Sequence, residues 1–170
     1  MIKIAFIIAF KNFRDEEYFV PKQIFQENGF EVKTVSSQKG TAIGGDGAET
    51  QVDLTFDELD AQEFNALVFA GGPGAYSYIE DENLHKLIAK HEGLLAAICI
   101  APAILAKAGV LRNKKATIWS SPMDRRTIRI LEENEAQYTD KRVVRDGNVI
   151  TANGPRAAEE FGRKIVEYFQ

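Results

Sequence analysis

Apolar residues along this chain fall into two alternating patterns. Ile2 to Ala9, Ala66 to Ala70 and Leu94 to Ile98 are short, nearly unbroken apolar runs, as in strands buried on both faces of a sheet. Between such runs the apolar positions recur every three or four residues, as on one face of a helix. The spacing predicts a helix over Asp15 to Asn28, stopped by Gly29, and another over Asp81 to His91 with Leu84, Leu87 and Ile88 on one face. An Ala-rich helix follows Ile98 and is closed by Gly109, and a last one runs from Ala157 to Phe169 with Ala158, Phe161, Ile165 and Phe169 aligned. Glu31 to Val35 and Ala116 to Trp119 read as further strands, and Phe56 to Ala61 as a short helix. Two hairpins complete the pattern, Gly40 to Leu54 around Gly44-Gly45-Asp46-Gly47 and Val143 to Ile150 around Asp146-Gly147.

Strand and helix signals that alternate in this way, with apolar strands, predict an α/β fold whose mostly parallel sheet is covered by helices on both faces. The 170 residues are enough for one well-buried domain and too few for two ordinary ones, so a single domain over 1–170 is expected.

Composition then excludes several classes of function. The apolar share of 45% and charged share of 27% are ordinary for a water-soluble domain. A net charge of −4 without a basic stripe argues against nucleic acid, and the small cluster Arg112-Asn113-Lys114-Lys115 reads as a solvated loop. No run is long and apolar enough for a membrane helix. Met1 to Phe10 resembles the apolar part of a signal peptide, but Lys11-Asn12 and the acids Asp15-Glu16-Glu17 follow without a small-residue cleavage site, so it reads as a first strand. The one cysteine, Cys99, forms no internal disulfide, which fits a reducing cytoplasm. His, Cys and carboxylate residues show no ligand spacing, so no metal is expected.

In open parallel sheets, sites form at the carboxyl ends of strands, and three strand ends carry unusual chemistry here. Cys99 sits where an apolar run turns into a helix, with Pro102 placed to suit the first helical turn. A thiol at that joint is raised out of the sheet at the positive end of a helix, which favours the thiolate; this is the logic of a nucleophile elbow. A lone cysteine is also often a small buried hydrophobe, and both readings stand. Gly71-Gly72-Pro73-Gly74 follows another strand and brings backbone N–H groups near a ligand or a developing oxyanion. It can equally be a simple turn, and it lacks the Lys-Ser/Thr that a phosphate loop needs. Glu17 shares the sheet-facing side of the first helix with Val20, Pro21 and Ile24, where burial raises a carboxyl pKa and Pro21 should distort the helix. Alternatively, Glu17 only decorates the first turn, as Asp15 and Glu16 do.

Taken together, these pieces resemble the DJ-1/PfpI (ThiJ) superfamily. Ala97-Ile98-Cys99-Ile100-Ala101-Pro102 is similar to its cysteine elbow, Glu17-Tyr18-Phe19-Val20-Pro21 to its Glu-x-x-x-Pro element, and Phe69 to Gly74 to its glycine loop. Asp146-Gly147 through Asn153-Gly154-Pro155 is similar to its closing hairpin and turn. The resemblance implies a flavodoxin-like three-layer sandwich and a homodimer or larger homo-oligomer. It implies Cys99 as nucleophile, Glu17 as its carboxyl partner, and an oxyanion or substrate site built from Gly71, Gly72 and Ile100.

One departure redirects the expected activity. Family members described as intracellular peptidases carry a histidine directly after the cysteine, and here that residue is Ile100. Another branch supplies a histidine from the loop before the closing hairpin, where this chain has Glu135. His85 and His91 both lie on the helix before the central strand, so a Cys-His peptidase dyad lacks its base. What remains is a Cys99–Glu17 pair suited to cofactor-free chemistry on a small aldehyde, of glyoxalase or deglycase type. The alternative is a redox-sensing or chaperone-like stress protein in which an oxidant converts Cys99 to a sulfinic acid held by Glu17. A third possibility is a chain that keeps only the fold.

Overall fold

The computed structural model describes all 170 residues. In chain order its elements are β1 (Lys3–Ile7), β2 (Lys11–Phe13), α1 (Asp15–Glu27), β3 (Glu31–Ser36), β4 (Gly40–Gly44), β5 (Glu49–Val52), β6 (Leu54–Thr55) and β7 (Ala66–Phe69). There follow α2 (Glu82–Lys90), β8 (Leu94–Ile98), α3 (Pro102–Lys107), β9 (Lys115–Ala116), α4 (Arg126–Glu133), β10 (Gln137–Tyr138), β11 (Val143–Asp146), β12 (Val149–Ala152) and α5 (Ala158–Phe169). Seven strands form the main sheet in the order β11-β12-β8-β7-β1-β3-β6. Every pairing is parallel except β11 with β12, so the fold is the expected α/β sandwich. Helices α1 and α5 pack together in one flanking layer, and α3 packs with α2 and α4 in the other. The three central strands β1, β7 and β8 are buried along nearly their whole length, as their unbroken apolar runs require.

Local chemistry explains most boundaries. Asp81 caps α2 by accepting the Leu84 N–H at 3.0 Å. Gly29 and Gly109 leave α1 and the α3 region at φ +76° and +84°, the left-handed turn that ends helices. The closing hairpin pairs Asp146 with Val149, so its two-residue turn is Gly147-Asn148, with Gly147 at φ +59°. The hairpin of β4 and β5 is held from the first helix: the buried Asp15 carboxylate accepts the N–H groups of Asp46 and Ala48, each at 3.0 Å.

Four expectations need correction. Helix α1 continues through Pro21 without interruption, because Pro21 is buried against Gly162 of α5 and this packing holds its course. Phe56 to Ala61 is not a helix; Glu58 folds back to accept the Thr55 N–H at 2.8 Å, and a single 3-10 turn forms only at Ala61–Glu63. The segment Ala116 to Trp119 does not join the main sheet, and only Lys115–Ala116 is a strand, paired with β10. Asp15 does more than decorate a helical first turn, since the hairpin depends on its carboxylate. Helix α4 was not foreseen; a short run with Thr127, Ile128 and Leu131 on its buried side gives a weak signal between Pro122 and Gly147.

Candidate active site

Cys99 occupies the step from β8 into α3 and has φ +65°, a left-handed conformation that a non-glycine residue adopts only when its surroundings hold it there. The hold is visible on both sides. The Cys99 N–H donates to the Ala152 carbonyl at the end of β12, and its own carbonyl accepts the Trp119 N–H, both at 2.9 Å. The kink lifts the side chain off the sheet into a cavity of about 250 Å³, where it is only partly exposed.

Glu17 reaches the same point from α1. It is fully buried, and its Oε1 accepts the Gly71 N–H at 3.0 Å. Its Oε2 is buried without a hydrogen-bond partner, and Cys99 is the polar side chain beside the carboxyl. Gly71 lies between the two: a Cβ there would stand 2.7 Å from Cys99 Cβ and 2.9 Å from Glu17 Oε1. Gly72, at φ +98°, runs against the backbone of β2 and its step into α1, where a side chain would strike Arg14 N at 2.5 Å. The glycine loop is therefore needed for close approach of two backbones. Gly71 supplies no free donor to an oxyanion, contrary to the expectation, because Glu17 uses its N–H. The N–H groups of Gly72 and Ile100 both face the Cys99 sulfur.

Electrostatics bind the pair together. Desolvation pushes the Glu17 carboxyl up to about 7, opposed by the hydrogen bonds from Cys99 and Gly71 and by the nearby Arg14 charge. Burial, and then the Glu17 carboxylate, push the Cys99 thiol up, against the pull of the Gly72 and Ile100 N–H groups. The expected lowering by the helix terminus is thus outweighed, first by burial and further by the Glu17 charge when it is ionised. Two adjacent buried groups cannot both carry negative charge cheaply, so once the first proton is lost, at about pH 7, the pair keeps the second between them. The thiolate is favoured when that proton sits on Glu17.

The cavity wall also contains Arg14 at the start of α1 and Tyr76 after β7, which the sequence pattern did not single out, together with Pro73 of the glycine loop, Trp119, and Pro155 of the closing turn. Neither histidine is among them. His85 Nε2 lies 2.7 Å from the Ile79 carbonyl and His91 Nδ1 3.1 Å from the Ala61 carbonyl, so both are engaged in packing around α2.

The sequence profile of the DJ-1/PfpI family matches residues 2–168. The chain belongs to that family. An uncharacterised protein of Methanocaldococcus jannaschii is 37% identical, covering 97% of this chain and 81% of its own. A protein of Pyrococcus horikoshii named a deglycase is 33% identical with 98% of each chain covered. Among solved structures, a ThiJ/PfpI domain protein from Brachyspira murdochii superposes with a TM-score of 0.91 at 34% identity, covering 98% of this chain and 95% of that one. These likenesses extend the DJ-1/PfpI assignment over the segments that carry Glu17, the glycine loop and Cys99 alike. They also establish the flavodoxin-like sandwich that the resemblance implied.

Proposed function

We propose that this chain is a cysteine-dependent, cofactor-free enzyme acting on small reactive aldehydes, of glyoxalase or deglycase type, in protection against carbonyl stress. The observation that carries this reading is the Glu17 carboxyl set against Cys99, with one oxygen held by Gly71 and the other without an N–H or O–H donor. The deglycase name of the Pyrococcus relative points the same way.

With a 2-oxoaldehyde, the Cys99 sulfur adds to the aldehyde carbon. The carbon–sulfur bond forms, the carbonyl π bond opens, and the oxygen takes the proton held by the pair. The Gly72 and Ile100 N–H groups, beside the sulfur, stabilise charge on that oxygen as it develops. Glu17, now ionised, removes the proton from the carbon bonded to sulfur, and the released electron pair forms the C=C bond of an enediolate as the ketone π pair moves onto its oxygen. Glu17 then returns the proton to that second carbon while the hydroxyl proton passes from the first oxygen to the second, leaving C=O beside sulfur. The product is the thioester of a 2-hydroxy acid, which water cleaves to free acid and thiol. The sum adds one water to the substrate, so no external oxidant or reductant enters.

The test is turnover of methylglyoxal to lactate by the purified protein. Wild type should form lactate, and Cys99→Ala and Glu17→Gln should not; a wild type without turnover refutes the enzyme reading. A redox-sensing role has its own support, since a carboxyl that keeps its proton up to about pH 7 can donate to a sulfinate on Cys99. Peroxide titration with mass measurement separates the two, and two added oxygens on Cys99 without lactate formation would favour the sensor. The single domain expected from the chain's length, the cytoplasmic location expected from its lone cysteine, and the homodimeric or larger assembly implied by the family resemblance belong to the same proposal.

A further inference from the structure

Among the residues lining the Cys99 cavity, Arg14 is the only one whose side chain carries a full charge. Its backbone is fixed, with the Arg14 N–H donating to the Gly71 carbonyl and its carbonyl accepting the Glu17 N–H, each at 3.1 Å. Buried neighbours Phe13 and Asp15 anchor it on both sides. The guanidinium itself makes no ion pair within the chain. The acids next to it in the sequence are otherwise placed: Asp15 is turned to the Asp46 and Ala48 N–H groups, Glu17 is buried with its carboxyl on the Gly71 N–H, and Glu16 is exposed. Asp124, which lines the neighbouring pocket on the far side of Tyr76, is closed in a bidentate pair with Arg126 at 2.8 and 3.0 Å.

We infer that Arg14 is an anion-recognising residue of this site and that the preferred substrate is a small carbonyl compound bearing a carboxylate. The substrate identity rests on the aldehyde-processing function proposed above; recognition of an anion beside Cys99 does not. The Cys99–Glu17 pair carries one negative charge once its first proton is lost, and that charge repels an anionic substrate. A planar guanidinium at the cavity wall offsets the repulsion and grips a carboxylate through paired N–H donors, which fixes the end of the substrate remote from the sulfur. The remaining wall, formed by Tyr76, Trp119 and two prolines, offers apolar contact and no second charge. At about 250 Å³ the cavity lies below the usual range for drug-sized ligands, which suits a substrate of a few carbons.

The experiment compares the rates at which iodoacetate and iodoacetamide alkylate Cys99, reagents that differ in a carboxylate against a neutral amide. Their ratio cancels any change in the thiolate fraction. Replacing Arg14 by Gln should lower the iodoacetate-to-iodoacetamide ratio roughly tenfold, the size of one lost charge-assisted hydrogen bond at a partly exposed site. Arg14→Lys should retain part of the preference, and added salt should erode it in wild type. A ratio that is the same in wild type and Arg14→Gln overturns the inference. The second arm uses methylglyoxal and a 2-oxoaldehyde with a carboxylate side chain. A higher kcat/KM for the carboxylated compound, lost in Arg14→Gln, supports the substrate class, and equal values overturn it. Arg14-dependent iodoacetate selectivity without turnover of either compound would refute the enzyme reading while leaving the anion site standing.

Discussion

The Gly71 N–H donates to Glu17 Oε1 at 3.0 Å, and the same glycine has no room for even one carbon beyond its backbone. A methyl group there would stand 2.9 Å from the Ile98 carbonyl as well as against Cys99 and Glu17. Gly71→Ala should therefore separate Cys99 from Glu17 and cost about 1–3 kcal/mol of stability through overpacking. Urea denaturation and Cys99 alkylation, measured on the same variant, check both parts; a stable variant with unaltered alkylation would contradict the crowding argument.

Glu17 makes stability depend on pH in a defined direction. Its folded pKa is about 7 against an ordinary value of 4.5, so the native state binds the proton more tightly than the unfolded chain does. That contribution is complete below pH 4.5 and disappears as pH rises through about 7. The loss amounts to at most about 3 kcal/mol at one pKa unit per 1.36 kcal/mol. Glu17→Gln should be flat across this window and more stable than wild type at pH 8, as read by urea midpoints at pH 5 and pH 8. The same substitution leaves one titrating group where there were two, so the two-step pH profile of Cys99 alkylation should collapse to a single step. A profile that keeps its inflection near pH 7 would remove Glu17 from the pair.

The strained backbone at Cys99 predicts an inversion of the usual ranking of alanine above glycine. At φ +65° an alanine retains the steric penalty of the left-handed region and a glycine does not. Cys99→Gly should be more stable than Cys99→Ala by roughly 1 kcal/mol, measured by chemical denaturation of the two variants.

Much of this site was legible in the sequence because its parts lie at strand ends that announce themselves. The apolar run before Cys99, Pro102 after it, and the four-residue spacing of Glu17 and Pro21 are local signals. Trp119 illustrates what was not. Its segment has the β-branched and aromatic residues of a strand, yet its N–H goes to the Cys99 carbonyl and not to a sheet neighbour, a partnership set by tertiary packing. Arg14 was missed for a related reason: a basic residue at a helix start is unremarkable until the fold brings it to the cavity mouth. The charge on the thiol was misjudged because the helix terminus is a local feature, whereas the opposing burial and the Glu17 charge come from residues far away in the chain.

The clamp on Cys99 also sets when in the life of the chain the nucleophile comes into being. Its two hydrogen-bonding partners, Trp119 and Ala152, lie downstream in the sequence, and Ala152 reaches it only after β12 has docked beside β8. During synthesis the cysteine leaves the ribosome well before these partners exist, in a chain whose parallel pairings must wait for distant segments. Until then it is an ordinary thiol with neither a fixed kink nor a carboxyl partner. The fixed geometry of the nucleophile is thus absent from the unfinished chain and arrives with the last strand of the sheet.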